Sequence, residues 1–462
     1  MAATDRSWPD FNDPGLLDAR QAALLIDQYE LAMAASYLRR DMNETSVFEL
    51  FVRSLPRNRH WLLAAGLGPT LRLVQGLSFG DAELEYVGRQ GFDPGFVDYL
   101  GDFRFSGDVE ALPEGTIFFA NEPILRVTAP RIEGQLLETL LLNQLNVQTV
   151  VATKAARIVL AAGSGEPGAG ERVVDFSPRR DHGIDAAMKA ARSAAIAGCG
   201  GTSNVAAAMR YGLRPVGTMA HSYVMSFPSE REAFRAFLAD HPGDTTLLVD
   251  TYDTLEGVRN AIAAAEEAGA ELAGIRLDSG DLESLSRAAR TLLDDAGLES
   301  TRIAASGDLH EGRIAELVAA GAPIDLWGVG TDLGTSRDSP VVNGVYKLVA
   351  DRGSGGDWRD MVKRSEAKAT VPGAKQVFRR SAGGEMAGDV IARADEDLEG
   401  EPLLVPAMRG GETVAAESLD EIRARATKQL ASLPERLRAP AADDEPEAYP
   451  VAYSQRLAAS VA

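Results

Sequence analysis

The residues Gly217-Thr218-Met219-Ala220-His221-Ser222-Tyr223-Val224-Met225-Ser226-Phe227 put one of only five histidines where a short apolar run meets a polar loop. An imidazole there can carry a proton or accept a phosphoryl group near neutral pH. A buried structural histidine with a satisfied ring is the competing reading. More polar clusters follow at a nearly fixed interval. Counting from His221, the markers Asp250, Asp278, Ser306 and Gly330 are spaced by 29, 28, 28 and 24 residues. Arg276 and Asp278 are two residues apart on an apolar run, so strand alternation points both side chains one way. That pair suits a site better than a cap. Asp253, Asp281 and Asp308 are better placed as helix N-caps. Gly328-Val329-Gly330-Thr331 can cradle a phosphate, since small residues let backbone N–H groups approach an anion. A plain tight turn explains the same four residues equally well.

These groups need a frame that brings them together. Each cluster follows a strand-like run: Thr246 to Val249, Leu272 to Leu277, Arg302 to Ala305, and Ile324 to Trp327. Between the runs lie segments with helical spacing, such as Leu255-Val258-Ile262 and Leu282-Leu285-Ala289-Leu292-Leu293. Gly269, Gly297 and Gly321 stand where left-handed C-caps are expected. Strand, polar loop, helix and glycine stop, repeated at this period, predict consecutive βα units of a parallel sheet. The loop residues differ each time, which excludes a solenoid of one repeated motif. Loops after the carboxyl ends of such strands carry the active site, so His221, Asp250, Asp278, Ser306, Asp308 and Thr331 should share one rim. Outside this region the chain predicts a helix within 16–40, carrying Leu24, Leu25, Leu31 and Met33. Strands are expected at Val47 to Val52, Ile117 to Phe119 and Ile124 to Val127, and a long helix over 134–162. A Gly-rich loop spans 163–170, and Val173 to Phe176 enters the repeating region. Short strands follow 350, then a charged helix at 416–437 and an acidic linker at 439–448.

Composition narrows the class. A chain of 462 residues has ample core for two or three domains. A net charge of −21 excludes a nucleic-acid surface, which needs a basic stripe. An acidic body that takes anionic substrates must concentrate its arginines, and Arg157, Arg179, Arg180 and Arg276 lie in or near the expected rim. The single Cys199 forms no intrachain disulfide and suits the cytoplasm. Asp5 and Arg6 make the amino terminus unlike a signal peptide. No apolar run reaches membrane length, and the Ala-rich stretch 186–198 is broken by Lys189 and Arg192. Cysteine and histidine spacings give no zinc site.

Eight segments in one order resemble the nicotinate phosphoribosyltransferase family, from about Leu17 to Leu437. They are Asp27 to Met33, Val47 to Arg53, Phe176 to Arg180, Gly201 to Val205, Gly217 to Ser222, Ile275 to Leu282, Gly328 to Thr331 and Gly344 to Val349. The resemblance implies an α/β fold: an irregular (β/α) barrel of type II phosphoribosyltransferases, an N-terminal α/β domain and a small C-terminal part. Its expected division is 1–135, 136–350 and 351–462, the last part packing on the first. The implied reaction joins nicotinate to 5-phosphoribosyl 1-diphosphate, giving nicotinate mononucleotide and pyrophosphate with coupled ATP hydrolysis. Mg2+ and ATP are the implied cofactors, and a homodimer with shared active sites the implied assembly, with no nucleic acid or membrane partner. Carried over by position, Tyr29 and Phe176 stack on the ring, and Ser203, Thr218 and Arg276 lie near it or its carboxylate. Arg179, Asp278, Gly328, Gly330 and Thr331 serve the phosphoribosyl donor, with Asp278 also catalytic, and His221 is the phosphohistidine. No metal ligand is assigned to the protein. Gly307 and Asp332 depart from the family pattern, which bears on donor affinity and metal geometry. A nicotinamide phosphoribosyltransferase and a catalytically silent ligand-binding barrel are the rival readings. Ser203, where the former carries Asp, and the retention of His221 and Arg276 argue against them.

Overall fold

Strands buried on both faces need near-continuous apolar runs, and the runs singled out above meet that need. They form one six-stranded parallel sheet in the order Gly201–Thr202, Val173–Asp175, Leu326–Val329, Arg302–Ala305, Gly274–Leu277, Thr246–Leu248. The computed structural model describes residues 21–56, 58–163, 169–353, 355–363, 370–414, 416–438 and 448–460. Among these the sheet does not close: Thr246–Leu248 pairs on one side only, and Gly201–Thr202 has just one further bridge beyond the sheet, so the barrel is irregular and open, as expected. The helices Thr254–Ala268, Leu282–Asp295 and Glu311–Ala319 alternate with the strands. Gly269, Gly297 and Gly321 follow them with φ of 58°, 75° and 65°, the expected left-handed stops. Packing is close: a Cβ on Gly257 would fall 1.9 Å from the Val249 carbonyl oxygen.

Two strand expectations need correction. The last run does not end at Trp327; its strand is Leu326–Val329, so Gly328 and Val329 are paired residues rather than loop. No strand precedes His221. The segment before it makes a single parallel bridge, Thr202 to Pro215, and His221 opens the short helix His221–Met225. Pro215 has no N–H to extend a ladder, and Gly217 adds no side chain to pack.

A second sheet of seven strands runs Trp358–Asp360, Gly344–Arg352, Thr45–Val52, Pro123–Pro130, Asp108–Ala111, Val405–Arg409, Glu412–Thr413. It therefore interleaves the early and late parts of the chain. The long helix Glu138–Gly163 packs against helices of the barrel and of the N-terminal part, and from Gln148 onward its residues are buried. Lys154 and Arg157 interrupt its apolar surface, and no helix among the described residues is long and apolar enough to cross a membrane. The first α-helix is Gln28–Arg39; Leu24 closes a 3-10 turn, Gln21–Leu24, before it, and Leu25 follows that turn. The charged C-terminal helix stops at Ala431 and resumes as Glu435–Arg438, because Pro434 cannot continue it. Residues 1–20, which include Asp5 and Arg6, the centre of the Gly-rich loop and most of the acidic linker lie outside the described residues.

Candidate active site

The strand Gly274–Leu277 delivers Arg276 to the barrel interior, and three hydrogen bonds fix its guanidinium there. Nε donates to Ser306 Oγ (2.7 Å), Nη1 to Thr218 Oγ1 (3.1 Å) and Nη2 to Asp278 Oδ1 (2.6 Å). Asp278 also accepts a hydrogen bond from the Ser306 hydroxyl. Burial pushes its carboxyl toward the neutral form, but the Ser306 hydrogen bond and the Arg276 charge outweigh this and hold it below the usual aspartate range. Asp250, one strand away, braces the same loop: its Oδ2 accepts from the Asp278 backbone N–H (3.0 Å) and the Ser279 hydroxyl (2.7 Å). Its Oδ1 is buried and has no partner.

Phe176 follows the strand Val173–Asp175 and lies under the Arg276 guanidinium, 5.3 Å from ring centroid to Cζ. Gly328 makes room for that ring, since a Cβ there would sit 2.5 Å from Phe176 Cε2. Behind the ring, Asp175 is almost fully buried and accepts from the Thr202 hydroxyl (2.7 Å) and the Ser177 N–H (2.8 Å). Ser177 donates in turn to Asp181 (3.0 Å). Two carboxylates thus clasp the start of the loop that carries Arg179 and Arg180. Burial, with the nearby Asp175, raises the Asp181 carboxyl to about 6.

A polar cavity of about 270 Å³ opens where these loops meet. Phe176, Arg179, Arg180, Arg276, Asp278, Ser306, Asp308, Gly328, Gly330 and Thr331 are among its walls. A narrower cavity of about 170 Å³ shares Phe176, Arg276 and Gly328 and continues past Thr218, Ala304 and Ala305. The two meet at Arg276. The polar one is walled by arginines, backbone donors and the carboxylates of Asp278, Asp308 and Asp332. The narrower one is walled by the Phe176 face, small residues and Arg276, with Arg214, Arg302 and Asp244 also in its lining.

His221 stands at the edge of this arrangement. Its Nδ1 is 3.2 Å from Thr251 Oγ1, and its Nε2 is 3.9 Å from Asp278 Oδ2. Three expected residues lie elsewhere. Ser203 follows the edge strand Gly201–Thr202, donates its N–H to the Asp175 carbonyl (2.8 Å) and lines neither cavity. Tyr29 begins the helix Gln28–Arg39 beside Glu30 and Glu138, is 46% exposed and also lines neither. Arg157 is buried against Glu311 rather than on the rim. Asp253 caps its helix as expected, accepting from Glu256 N–H at 2.9 Å. Asp281 stands at the N-cap position but bonds the Ser284 hydroxyl instead of the backbone. Asp308 is not a cap: His310 holds that position, and Asp308, with φ of 45°, faces the polar cavity. Gly307 has φ of 86°, and a Cβ there would meet the Asp278 carbonyl oxygen at 1.9 Å. The departure at this position is therefore what the local backbone requires. The roles of Thr251, Asp175 and Asp181 escape sequence reasoning, because each acts through a partner distant along the chain or across a turn.

Residues 24–146 match the family description of a nicotinate phosphoribosyltransferase N-terminal domain, and residues 172–317 that of the nicotinate phosphoribosyltransferase family. A nicotinate phosphoribosyltransferase of Mycobacterium tuberculosis is 46% identical over 95% of this chain and 93% of its own length. The chain belongs to the nicotinate phosphoribosyltransferase family. A Bacillus subtilis member is 42% identical over 83% of this chain and 78% of its own. The crystal structure of human nicotinic acid phosphoribosyltransferase superposes with a TM-score of 0.80 at 29% identity, covering 95% of this chain and 99% of the other. All the site residues described from Phe176 to Ser306 fall within the second matched region.

Proposed function

We infer that this chain is an enzyme that transfers a phosphoribosyl group to nicotinate, forming nicotinate mononucleotide and pyrophosphate in NAD biosynthesis from nicotinate. The observation that carries the reading is the joining of two unlike cavities at Arg276. A flat ring bearing a carboxylate suits the narrower one, with the Phe176 face beside it. Three of the five guanidinium N–H groups are committed to protein, which leaves two for the carboxylate. The diphosphate of the donor suits the polar cavity, where Arg179, Arg180 and the backbone of Gly330 and Thr331 face it. As the ring nitrogen bonds the anomeric carbon, the bond from that carbon to the diphosphate oxygen breaks. Positive charge grows on the sugar and negative charge on the leaving group. Asp278, kept ionised, faces the first charge, and the arginines face the second.

Magnesium fits as a guest of the donor rather than of the protein alone. Among the described residues no group of three or more His, Cys, Asp or Glu side chains could hold a metal. Asp278 and the unpartnered Oδ1 of Asp250 offer two carboxylates, enough for an ion that takes its other ligands from phosphates and water. Bound there it would offset charge on the departing diphosphate. His221 accepts a phosphoryl group from ATP on Nε2 in this reading, which the Thr251 hydroxyl beside Nδ1 supports. A homodimer with Tyr29 reaching a neighbour's site, and a cytoplasmic location consistent with the single buried Cys199, complete the proposal. Turnover of labelled nicotinate against nicotinamide, with and without ATP, tests it. Preference for nicotinamide, or no product from either ring, would refute the assignment.

A further inference from the structure

Lys154 is 1% exposed in the middle of the helix Glu138–Gly163, and its ammonium meets three carboxylates. These are Glu311, Asp338 (2.9 Å) and Asp332 (3.5 Å). Two of the three have a second buried cation. Glu311 accepts from Arg157 Nε at 2.9 Å, and Asp338 takes both Nη atoms of Arg59 at 2.7 and 2.9 Å. Asp332 is different. Besides Lys154, its one cationic neighbour among the described residues is Arg337, 3.9 Å away and 66% exposed, where water screens the pair. Removing Lys154 would therefore leave one charge uncompensated, that of Asp332. Asp332 follows Thr331 directly and lines the polar cavity. Its side chain is only 12% exposed. An uncancelled carboxylate there would oppose any phosphate held by Gly330 and Thr331.

We propose that Lys154 is a positioning residue for the phosphoribosyl donor: its buried ammonium cancels the charge of Asp332 so that the Gly330–Asp332 segment accepts phosphate. The sequence departure at Asp332 is then half of a pair whose other half lies far back in the chain. The inference rests on the reading of the polar cavity as the donor's site. The experiment compares KM for 5-phosphoribosyl 1-diphosphate, KM for nicotinate, kcat and melting temperature in Lys154→Met, in Asp332→Asn and in the double variant. Lys154→Met should raise the donor's KM by about tenfold, with the nicotinate KM changed by less than about twofold, the scale of one charge at this distance. Asp332→Asn in the same chain should recover most of that loss. If the double variant is as weak as Lys154→Met alone, the lysine acts by packing and the proposal falls. If Lys154→Met unfolds, Asp332→Asn alone decides: the donor's KM should drop by about threefold, and an unchanged or raised value would overturn the pairing. Arg179→Ala separates the two levels. No effect of that change on the donor would refute the cavity's assignment, whereas an effect there with none from Lys154→Met would refute only the role of the lysine.

Discussion

Arg276 must hold still and yet keep donors free. Its bonds to Ser306, Thr218 and Asp278 do the first without using all of its N–H groups. A charged hydrogen bond contributes about 1.5–3 kcal/mol, so Arg276→Ala should weaken nicotinate binding by roughly ten- to a hundred-fold. Calorimetry gives the dissociation constant, and a melting curve shows whether the variant is folded. Arg276→Lys should rescue only part, because an ammonium lacks the planar fork that reaches Thr218, Ser306 and Asp278 together. A folded alanine variant with parental affinity would leave the arginine a purely structural part. His221 allows a separate test. His221→Asn should abolish ATP hydrolysis and the acid-labile phosphoryl group, while uncoupled nucleotide formation survives. ATP hydrolysis persisting in that variant would remove the phosphohistidine role.

The elements behind these residues make predictions of their own. The Phe176 ring occupies the space of a side chain at Gly328, so Gly328→Ala must push the ring off its position by the guanidinium. Nicotinate turnover should fall by about tenfold or more, as misplacement near 1 Å commonly does, and a steady-state comparison with the parent measures it. The loop after Phe176 should respond to pH through Asp181. Its carboxyl is raised to about 6, so the folded chain binds this proton more tightly than the unfolded one. Stability from this group is present at low pH and is lost as pH rises from about 4 to about 6. Asp181→Asn should therefore flatten that part of the melting-temperature profile and melt higher than the parent at pH 7. The same elements show what a sequence reveals. Gly269, Gly297 and Gly321 marked the helix ends because a C-cap is local chemistry. Asp253 was legible as a cap for the same reason. Gly328 read as a turn because the ring that demands a glycine is about 150 residues earlier in the chain. Pro215 and Gly217 keep the short apolar run before His221 from forming the strand that its place on the rim implied. Asp308 resembled a cap until the left-handed turn at Gly307 and Asp308 handed that place to His310. Lys154 gave no sign beyond a charge in an apolar helical run, since its three partners come from later loops.

At the scale of the molecule, the position of Tyr29 bears on which chain completes each site. Tyr29 lines neither cavity of its own chain, yet stands half exposed at the start of a helix. Its surroundings are anchored: Glu30 beneath it is buried and accepts from the Thr139 hydroxyl at 2.6 Å, and burial, with Glu138 and Asp27 nearby, raises the Glu30 carboxyl to about 7. An aromatic ring held in place and facing outward is suited to a second copy of the chain. The seven-stranded sheet joins this N-terminal region to strands that follow the barrel, so the ring is tied to the whole fold rather than to a loose arm. If sites are shared, Tyr29→Ala and His221→Asn each damage both sites of their own homodimer. A hybrid of the two carries one site with both defects and one with none. Random exchange of equal amounts makes about half the dimers hybrid, so ATP-coupled activity should return to about a quarter of the parent level. Subunit exchange is followed independently with differently tagged chains. Hybrids that form but show no more ATP-coupled activity than the two variants alone would mean that each site is built within one chain and that Tyr29 does not reach a neighbour's.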